Sequence, residues 1–202
     1  MDFFDVVVIG GGSAGYAAAN TAESKGAKVA IVDKGPLGGL CILRGCMPTK
    51  TILRSSDVLA LMHRAKEFGL SASNLSADLS LINDRKIRLI NEFASFRIEQ
   101  LNDPKFTLIK EHASFLSPHQ LEVGKRELSA KNFIIATGST TAEFPVPGLA
   151  EVGFLTSDDV LELRETPESM IVLGAGPVAV ELAQFFCRIG TQTTLVLSLI
   201  HI

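Results

Sequence analysis

The stretch that decides the fold is residues 5–35, DVVVIGGGSAGYAAANTAESKGAKVAIVDKG. It opens with a run of β-branched residues, Val6 to Ile9, which predicts a buried strand. Three glycines, an alanine-rich segment and a second apolar run over residues 28–32 follow in that order. The order strand, glycine turn, helix and strand is typical of parallel sheets, and it predicts an α/β fold.

The three glycines each have a physical role in such a unit. Gly10 permits a tight turn, Gly12 lets a pyrophosphate approach the backbone, and Gly15 lets helix and strand pack closely. Ser13 and Ala14 lie at the predicted start of the helix, where unsatisfied N–H groups and the positive dipole end attract phosphates. These five residues are candidate contacts of a dinucleotide.

An acidic residue ends the second predicted strand. Asp33 is placed to accept hydrogen bonds from ribose hydroxyls, and Lys34, which follows it, is a further candidate contact. A glycine-rich turn without a ligand is the alternative. Because strand, glycines, helix and acid occur together at the expected spacing, we interpret residues 5–35 as a dinucleotide site of a Rossmann-like domain with a mostly parallel sheet.

A second copy of the pattern occupies residues 169–197, SMIVLGAGPVAVELAQFFCRIGTQTTLVL. Gly174 and Gly176 match the first two glycines, and Ala179 replaces the third. Leu197 stands where the first copy has Asp33, so no carboxylate is available for the ribose 2′-hydroxyl of NAD, which slightly favours NADP. The copy predicts the start of a second Rossmann-like domain; a unit of this type without a ligand is the alternative.

The segment between the copies has a different pattern. Apolar positions at helical spacing predict helices over residues 51–68 and 80–101. In the second of these, we expect the charges of Arg85, Lys86 and Arg88 to form a solvated face rather than a binding patch.

Short alternating runs within residues 105–135 predict strands that complete the first sheet. Residues 157–163, SDDVLEL, predict a short capped helix in the connection between the two copies. We therefore place a dinucleotide-binding domain at residues 1–150. Residues 151–202 would hold the connection and the first strand–helix–strand of a second domain, which is truncated here.

Bulk composition excludes several functions. The chain has 202 residues and a net charge of −3, so nothing suggests nucleic acid or an anionic membrane as the main partner. None of its apolar runs approaches the roughly 20 residues needed to span a bilayer. The N-terminus shows no signal-like segment, and we expect a cytoplasmic protein. Reducing conditions there favour a catalytic or metal-binding role for closely spaced cysteines.

Two of the three cysteines, Cys41 and Cys46, lie in residues 37–50, LGGLCILRGCMPTK. Their spacing permits a strained, reducible disulfide, and the positive charge of Lys50 would favour a thiolate. Zinc needs about four ligands, and the histidines show no pairing with the thiols. Two unconnected buried thiols are the other alternative. Cys187 lies in an apolar helix, AQFFCRIG, and is expected in the core.

LGGLCILRGCMPTK resembles the redox-active disulfide motif of the class I pyridine nucleotide-disulfide oxidoreductases, which include dihydrolipoamide dehydrogenase, glutathione reductase and mercuric reductase. The order of motifs is also similar: an FAD fingerprint, the disulfide, the flavin-contacting stretch IIATGS at residues 134–139, then a nicotinamide fingerprint. The resemblance runs from about residue 4 to 197. It implies that electrons pass from NAD(P)H to FAD, then to a Cys41–Cys46 disulfide, then to a disulfide or dithiol substrate.

The resemblance also implies roles for single residues. Cys46 would be the flavin-side thiol and Cys41 the thiol that exchanges with substrate. Lys50 matches the lysine near the reactive edge of the flavin, and Glu181 matches the glutamate that pairs with it and links the two domains. Two ordinary surface charges are the alternative for this last pair.

Three further positions are assigned to FAD binding. Gly138 would approach the flavin cofactor by its backbone, with Thr137 beside it. Gly39, in the glycine pair before the first cysteine, allows the chain to lie close to a ring system.

The chain also departs from the family pattern. Members are more than twice this length, and their C-terminal part supplies dimerisation and a His–Glu acid–base pair spaced H-x-x-x-x-E, which has no match here. A homodimer is therefore expected for the full-length parent. The alternatives are a truncated FAD-binding fragment without turnover, or a mercuric reductase-like enzyme acting on a metal ion. Residues 198–202, SLIHI, are expected to be an unrelated tail.

Overall fold

The computed structural model describes residues 2–142 and 145–197, which include all predicted site residues. The chain divides into two compact units. The first comprises Met1–Leu43 and Ile90–Thr140, and the second comprises Arg44–Leu89 and Thr141–Ile202. The segment that follows Leu43 thus groups with the second fingerprint, and the boundary at residue 150 stays a prediction. Residues 198–202, expected to be a tail, lie outside the described residues.

The strands and helices follow the predicted order. The strands are β1 (Asp2–Ile9), β2 (Val29–Val32), β3 (Phe106–Ile109), β4 (Ala113–Ser117), β5 (Gln120–Val123), β6 (Arg126–Ile135), β7 (Ser169–Leu173) and β8 (Gln192–Val196). The helices are α1 (Ser13–Glu23), α2 (Gly39–Leu43), α3 (Cys46–His63), α4 (Leu79–Leu101), α5 (Leu149–Val152), α6 (Ser157–Val160) and α7 (Pro177–Arg188). A 3₁₀ turn, Ala65–Phe68, follows α3.

The first unit is built on a six-stranded sheet in the order β3-β2-β1-β6-β5-β4. The strands β3, β2, β1 and β6 are parallel, and β5 and β4 are added antiparallel. The continuous apolar runs of β1 and β2 are buried on both faces, as central parallel strands require. The predicted α/β class with a mostly parallel sheet is confirmed, and residues 105–135 do complete that sheet.

Two hydrophobic clusters cover the faces of this sheet. One contains Val7 and Val32 with Leu121 and Leu128, and it lies under the antiparallel strands. The other packs α1 and the end of α4 against the opposite face; its buried members are Val8, Ala19, Val29, Ile31, Leu101 and Phe106. Neighbouring residues of β1, such as Val7 and Val8, therefore serve opposite cores, which follows from the two-residue period of a strand.

The second unit has a helical core beside a two-stranded parallel sheet, β7–β8. Phe185 and Phe186 of α7 are fully buried and stack edge to face, with ring centroids 5.0 Å apart. They pack with residues of α3, α4 and the connection: Ile52, Leu59, Leu79 and Leu161. The strands themselves are open; the side chain of Ile171 is 70% exposed, and Leu173 and Val196 are also exposed.

Two sequence-based expectations are wrong. Cys187 is exposed, because α7 turns the face carrying Leu182, Phe185 and Phe186 inward and leaves Cys187 on the opposite side. Lys86 is only 3% exposed and does not belong to a solvated face, although Arg85 and Arg88 are exposed.

The Lys86 ammonium is buried because it has partners in the connection that follows α6. It donates to the backbone carbonyl of Leu161 and to Oε1 of Glu162, the latter at 2.8 Å. Beside it, Nδ2 of Asn83 donates to the carbonyl of Leu163 at 2.6 Å. A buried charge is tolerated only when it is paired and hydrogen-bonded, and the Leu161 carbonyl and the Glu162 carboxylate supply that compensation for Lys86.

The predicted capped helix in the connection is confirmed as α6. Its N-cap, Thr156, accepts from the N–H of Asp159, and the Asp159 carboxylate accepts in turn from the N–H of Thr156 at 2.7 Å. This capping box fixes the start of the helix. Within residues 2–142 and 145–197, no helix is long and apolar enough to cross a membrane.

Candidate active site

The first glycine turn is enforced by its neighbours. Gly10 has a φ of +106°, and a Cβ there would lie 2.2 Å from the carbonyl oxygen of Ala136, just after β6. A Cβ on Gly15 would lie 1.8 Å from the carbonyl oxygen of Gly10. Neither separation is possible for real atoms, so only glycine fits both positions. The tight turn expected at Gly10 and the close packing of helix and strand expected at Gly15 are therefore both present.

A second close approach joins this turn to the start of α2. Gly39 has a φ of +77°, and a Cβ on it would lie 2.4 Å from Cα of Gly12. Gly12 is the N-cap of α1, and among the described residues no side chain caps its N–H groups. Ser13 and Ala14, the first helical residues, are exposed. A cradle lined by backbone at a helix N-terminus fits the pyrophosphate of a dinucleotide.

Asp33 braces the same turn. Its Oδ2 accepts from the N–H of Gly11 at 2.6 Å, and its Oδ1 accepts from the N–H of Gly35 at 2.7 Å. The sequence reasoning did not foresee these bonds, because they depend on the turn folding back onto the end of β2. Each carboxylate oxygen can accept more than one hydrogen bond, so capacity for ribose hydroxyls remains. Lys34 is exposed beside it.

The flavin-contacting candidates follow the end of β6. Thr137 and Gly138 are both exposed, and Gly138 has a φ of +78°. The strand that carries them pairs with β1 along the whole first fingerprint strand, ending with Ile9 opposite Ile135. Because parallel strands end at the same edge, Thr137 and Gly138 emerge beside the Gly10 turn.

The two cysteines of the motif lie on successive helices. Cys41 is half-buried in α2, within the first unit, and Cys46 is exposed as the first residue of α3, within the second. Gly45 is the N-cap of α3 and has no side chain with which to cap it. Cys46 therefore lies at the positive end of the α3 dipole. The Cys41–Cys46 disulfide stays a prediction.

The structure brings Lys50 and Glu181 together. The ammonium of Lys50, in the first turns of α3, donates to both carboxylate oxygens of Glu181 on α7, with Oε2 at 2.6 Å. Both residues belong to the second unit. The helix that begins at Cys46 is therefore in contact with the helix that begins at the second glycine turn.

A second ion pair repeats this contact seven residues further along both helices. Arg188 of α7 pairs through Nη1 with Oδ1 of Asp57 on α3. Because seven residues are close to two helical turns, the two pairs keep α3 and α7 parallel and in one register. The sequence signal for the Asp57–Arg188 pair, which was missed, is that each helix carries a second charge seven residues after the first. The signs are opposite: α3 has a cation and then an acid, and α7 has an acid and then a cation.

A third ion pair, also missed, involves the peptide between the two cysteines. Nη1 of Arg44 lies 3.2 Å from Oδ2 of Asp158, in the first turn of α6. With the Lys50–Glu181 pair, it gives the N-terminal region of α3 two cations, each matched by an acid from later in the chain. The signal was the acidic SDD start of a capped helix.

The second glycine turn has room around it. Gly174 has a φ of +95°, and apart from the adjacent residues no described residue lies within 4 Å of a Cβ placed on Gly174 or Gly176. Gly176 is the N-cap of α7 and Pro177 its first residue, an arrangement that suits proline. Ala179 is half-buried, and Leu197, after β8, is exposed. The described residues contain no cluster of three or more potential metal ligands.

These features define a class: an α/β protein with two glycine-rich strand–turn–helix units and a closely spaced cysteine pair between them. Residues 4–202 match the family model "Pyridine nucleotide-disulphide oxidoreductase", and the chain belongs to that family.

Individual relatives support the same assignment. The chain is 38% identical over 193 residues to a mercuric reductase of Staphylococcus aureus, covering 95% of this chain and 35% of that protein. It is 39% identical over 201 residues to a dihydrolipoyl dehydrogenase of Chlorobaculum parvum, covering 96% and 42%.

A solved structure is also similar. The Cu(II) complex of a cysteine-to-serine mutant of RclA, an HOCl-induced flavoprotein disulfide reductase of Escherichia coli, superposes with a TM-score of 0.82. The sequence identity is 28%, and the match covers 98% of this chain and 43% of that one. The chain therefore spans less than half of the length of each of these three proteins.

Proposed function

We propose that the chain is the N-terminal part of an FAD-dependent NAD(P)H disulfide oxidoreductase similar to dihydrolipoamide dehydrogenase. Its reaction would be exchange between the Cys41–Cys46 pair and a disulfide or dithiol substrate. The observation that carries the proposal is the contact between Lys50 and Glu181. That contact couples the helix that begins at Cys46 to the helix that begins at the second dinucleotide turn.

The first fingerprint would hold FAD. The cradle between Gly12 and Gly39 supports this assignment, because side chains are excluded where a pyrophosphate must approach. Asp33 would accept from the ribose hydroxyls while it braces the turn through Gly11. The flavin, when bound, supplies a two-electron carrier between a nicotinamide and the cysteine pair. Thr137 and Gly138 would complete the contacts to it.

The cysteines would carry out the exchange with substrate. The thiolate of Cys41 attacks one sulfur of a substrate disulfide; that S–S bond breaks, and one substrate thiolate leaves. Cys46 then attacks the mixed disulfide, releasing the second thiolate and forming the Cys41–Cys46 bond. Two electrons pass from the dithiol to the substrate, and the released thiolates take protons from solvent. Exposure of Cys46 at the start of α3 supports its role in the exchange, because a solute can reach its sulfur.

Lys50 and Glu181 would act as a charge pair beside the redox centre. Lys50 lies about one helical turn after Cys46, where its ammonium would stabilise negative charge on nearby groups of the redox centre. Glu181 holds that ammonium by accepting from it with both oxygens. The pair would therefore set the position of one positive charge, with α3 and α7 held in register by Asp57 and Arg188.

The second fingerprint would bind the nicotinamide nucleotide through Gly174, Gly176 and Ala179. Leu197 supports a preference for NADP, because no carboxylate stands at the end of β8 to accept from an adenosine ribose 2′-hydroxyl. We further propose a cytoplasmic location and a homodimeric full-length parent. The domain boundary near residue 150 belongs to the same proposal.

An anaerobic reductive titration of the purified chain tests the proposal. We expect a yellow protein that takes up more than two electrons per flavin, because the cysteine pair accepts two of its own. A long-wavelength absorbance band should develop on partial reduction and be lost in Cys46→Ser. Cys187→Ser is the matched control: its thiol is also exposed, on α7, and the band should persist. Purification without flavin, or uptake of only two electrons without the band, would contradict the proposal.

A second candidate function is reduction of a mercuric ion, and the similarity to mercuric reductases favours it. Hg²⁺ would be the substrate, held by the thiolates of Cys41 and Cys46, and it would gain two electrons to become Hg⁰. The test is Hg²⁺-dependent oxidation of NADPH by the full-length parent. A parent that oxidises NADPH with disulfides but not with Hg²⁺ would exclude this candidate.

A further inference from the structure

Arg44, in the peptide CILRGC between the two cysteines, has no role in the function described above. We propose that Arg44 is a specificity-determining residue that favours disulfide substrates carrying a carboxylate close to the sulfur–sulfur bond. This inference rests on the proposed function in one respect, since it takes Cys41 and Cys46 as the thiols that exchange with substrate.

Covalent geometry keeps the backbone of Arg44 close to that of both cysteines. Consecutive Cα atoms are 3.8 Å apart, so the Cα of Arg44 lies within about 7.6 Å of that of Cys46 and within about 11.4 Å of that of Cys41. Its side chain is 57% exposed, so solutes can reach the guanidinium. A substrate that presents sulfur to either cysteine therefore brings its neighbouring groups within reach of this positive charge.

Asp158 orients this guanidinium. The contact is 3.2 Å, and the Asp158 side chain, 32% exposed, lies in the first turn of α6, whose start is fixed by the Thr156–Asp159 capping box. A guanidinium has five N–H donors in a planar fork, and one carboxylate can engage at most two of them. At least three donors of Arg44 remain for a second anion.

The donors that remain free decide the sign of the preference. Asp158 offsets much of the charge of Arg44, and Glu181 offsets that of Lys50 in the same way. Each of these carboxylates is already paired with a cation, whereas the guanidinium of Arg44 keeps N–H donors for a second anion. A disulfide that carries a carboxylate is therefore favoured there over one that carries an ammonium.

The size of the effect follows from Coulomb's law. Two unit charges about 7 Å apart in water interact by about RT, which changes a rate by roughly threefold. Comparing an anionic probe with a cationic one doubles the difference in free energy. Replacing Arg44 by a neutral residue should therefore change the ratio of their exchange rates by about five- to tenfold at low salt. The change should shrink at high salt, where the Debye length falls to about 3 Å.

The experiment measures thiol–disulfide exchange directly and needs no bound flavin. The reduced full chain, with Cys187→Ser to remove the other exposed thiol, is mixed anaerobically with dithiobis(nitrobenzoate), which is anionic, and with cystamine, which is cationic. Neutral dithiodipyridine measures intrinsic thiol reactivity. Each rate is divided by that for the neutral probe, and the anion-to-cation ratio is compared between variants.

Four variants make the test specific. Arg44→Gln should lower the ratio about five- to tenfold, and Arg44→Lys should keep most of it because the charge remains. Asp158→Asn, which removes the balancing charge, should raise the ratio by a similar factor. Arg54 is another exposed arginine, about two helical turns after Cys46 on α3. Arg54→Gln should leave the ratio within about twofold of the parent's value.

Three outcomes would overturn the inference: unchanged ratios in both Arg44→Gln and Asp158→Asn, equal effects of Arg44→Gln and Arg54→Gln, or effects that persist at 1 M salt. If Arg44→Gln fails to fold, Asp158→Asn still decides the question, because its predicted effect has the opposite sign. Failure of the proposed function is distinct: a chain without flavin that still shows the charge-dependent ratio contradicts the flavoenzyme and supports the role of Arg44.

Discussion

The two glycine turns, residues 10–15 and 174–179, share a sequence pattern but differ in their surroundings. In the first, a Cβ on Gly10 or Gly15 would collide with backbone carbonyl oxygens at 2.2 and 1.8 Å. In the second, apart from the adjacent residues, no described residue comes within 4 Å of a Cβ on Gly174 or Gly176. Among the residues that the structure describes, the first turn lies against a six-stranded sheet and the second joins the strands β7 and β8, which carry exposed apolar side chains.

This difference shows that one motif can be maintained for two physical reasons. In the first turn, packing within the chain excludes every side chain at Gly10 and Gly15, so glycine is needed for folding itself. In the second turn, the positive φ of Gly174 favours glycine, but the space around Gly176 is open. Glycine at 176 would suit a ligand that approaches the backbone closely, as proposed for the nicotinamide nucleotide.

The largest expected effect separates these two reasons directly. Gly15→Ala should destabilise the protein by more than about 3 kcal/mol, because the added methyl would overlap the Gly10 carbonyl and force α1 away from β1. Gly176→Ala should change stability by less than about 1 kcal/mol, since its φ of −68° suits any residue and only the N-cap preference is affected. Chemical denaturation of each variant measures both values.

The control for this prediction is already in the sequence. Ala179 occupies the position that corresponds to Gly15, and α7 accommodates its methyl group. Ala179→Gly should therefore cost roughly 1 kcal/mol as an ordinary helix substitution. Equal losses of stability in Gly15→Ala and Gly176→Ala would break the comparison. For Gly176→Ala, weaker binding of a nicotinamide nucleotide at nearly unchanged stability is the expected functional result.

Gly174→Ala should have an intermediate effect. A φ of +95° is strained for alanine even in open space, and we expect a cost of about 1–2 kcal/mol. Gly39→Ala, at a φ of +77° but 2.4 Å from Gly12, should cost clearly more, because strain and collision add. Thermal unfolding of the two variants compares them, and similar melting temperatures would show that the approach of Gly39 to Gly12 is unimportant.

The ion pairs between α3 and α7 should contribute less to stability than Gly15, Gly39 or Gly174. Double-mutant cycles on Lys50–Glu181 and on Asp57–Arg188 should each give a coupling of about 1 kcal/mol or less, because all four side chains are substantially exposed. Only the Lys50–Glu181 pair should affect the redox centre. Glu181→Gln should alter the long-wavelength absorbance band of the partly reduced protein, and Asp57→Asn should leave that band unchanged. Equal spectral effects would mean that both pairs act solely through helix register.

The smallest predicted effect is a pH dependence in each unit. The ion pair with Lys131, together with the N–H of Lys28, lowers the pKa of Asp5 in β1, and the hydrogen bonds of Thr156 lower the pKa of Asp159 in α6. Because both folded-state values lie below the ordinary 3.8, the stabilisation is complete at neutral pH. The stabilisation declines as the pH falls below 3.8, and it vanishes once the pH is below the folded-state pKa of each carboxyl group.

Asn substitutions test these two carboxylates. Asp5→Asn and Asp159→Asn should be less stable than the parent at pH 7 and nearly as stable at pH 2. Hydrogen exchange should report the first loss in β1 and β2 and the second around α6. A loss of stability that is the same at both pH values would show that the carboxylate charge is not responsible.

Local patterns were sufficient for much of this protein. The strand–glycine–helix–strand units, the helix over residues 80–101 and the capped helix at 157 all follow from periodicity and capping chemistry, which act over a few residues. Lys50 and Glu181 were paired only through resemblance to a family, and the structure brings them into contact. Asp57–Arg188 and Arg44–Asp158 were missed, because the seven-residue spacing and the acidic helix start do not by themselves identify partners more than a hundred residues away.

What the sequence by itself determined is the order of elements, the α/β class and the positions of both fingerprints and the cysteine pair. These depend on hydrophobic period and on the backbone freedom of single residues. Only the tertiary structure decided that Lys86 is buried, that Cys187 is exposed and that Asp33 braces the Gly11 turn. Burial and pairing depend on which face of an element meets another, and that is settled by packing between segments distant in the chain.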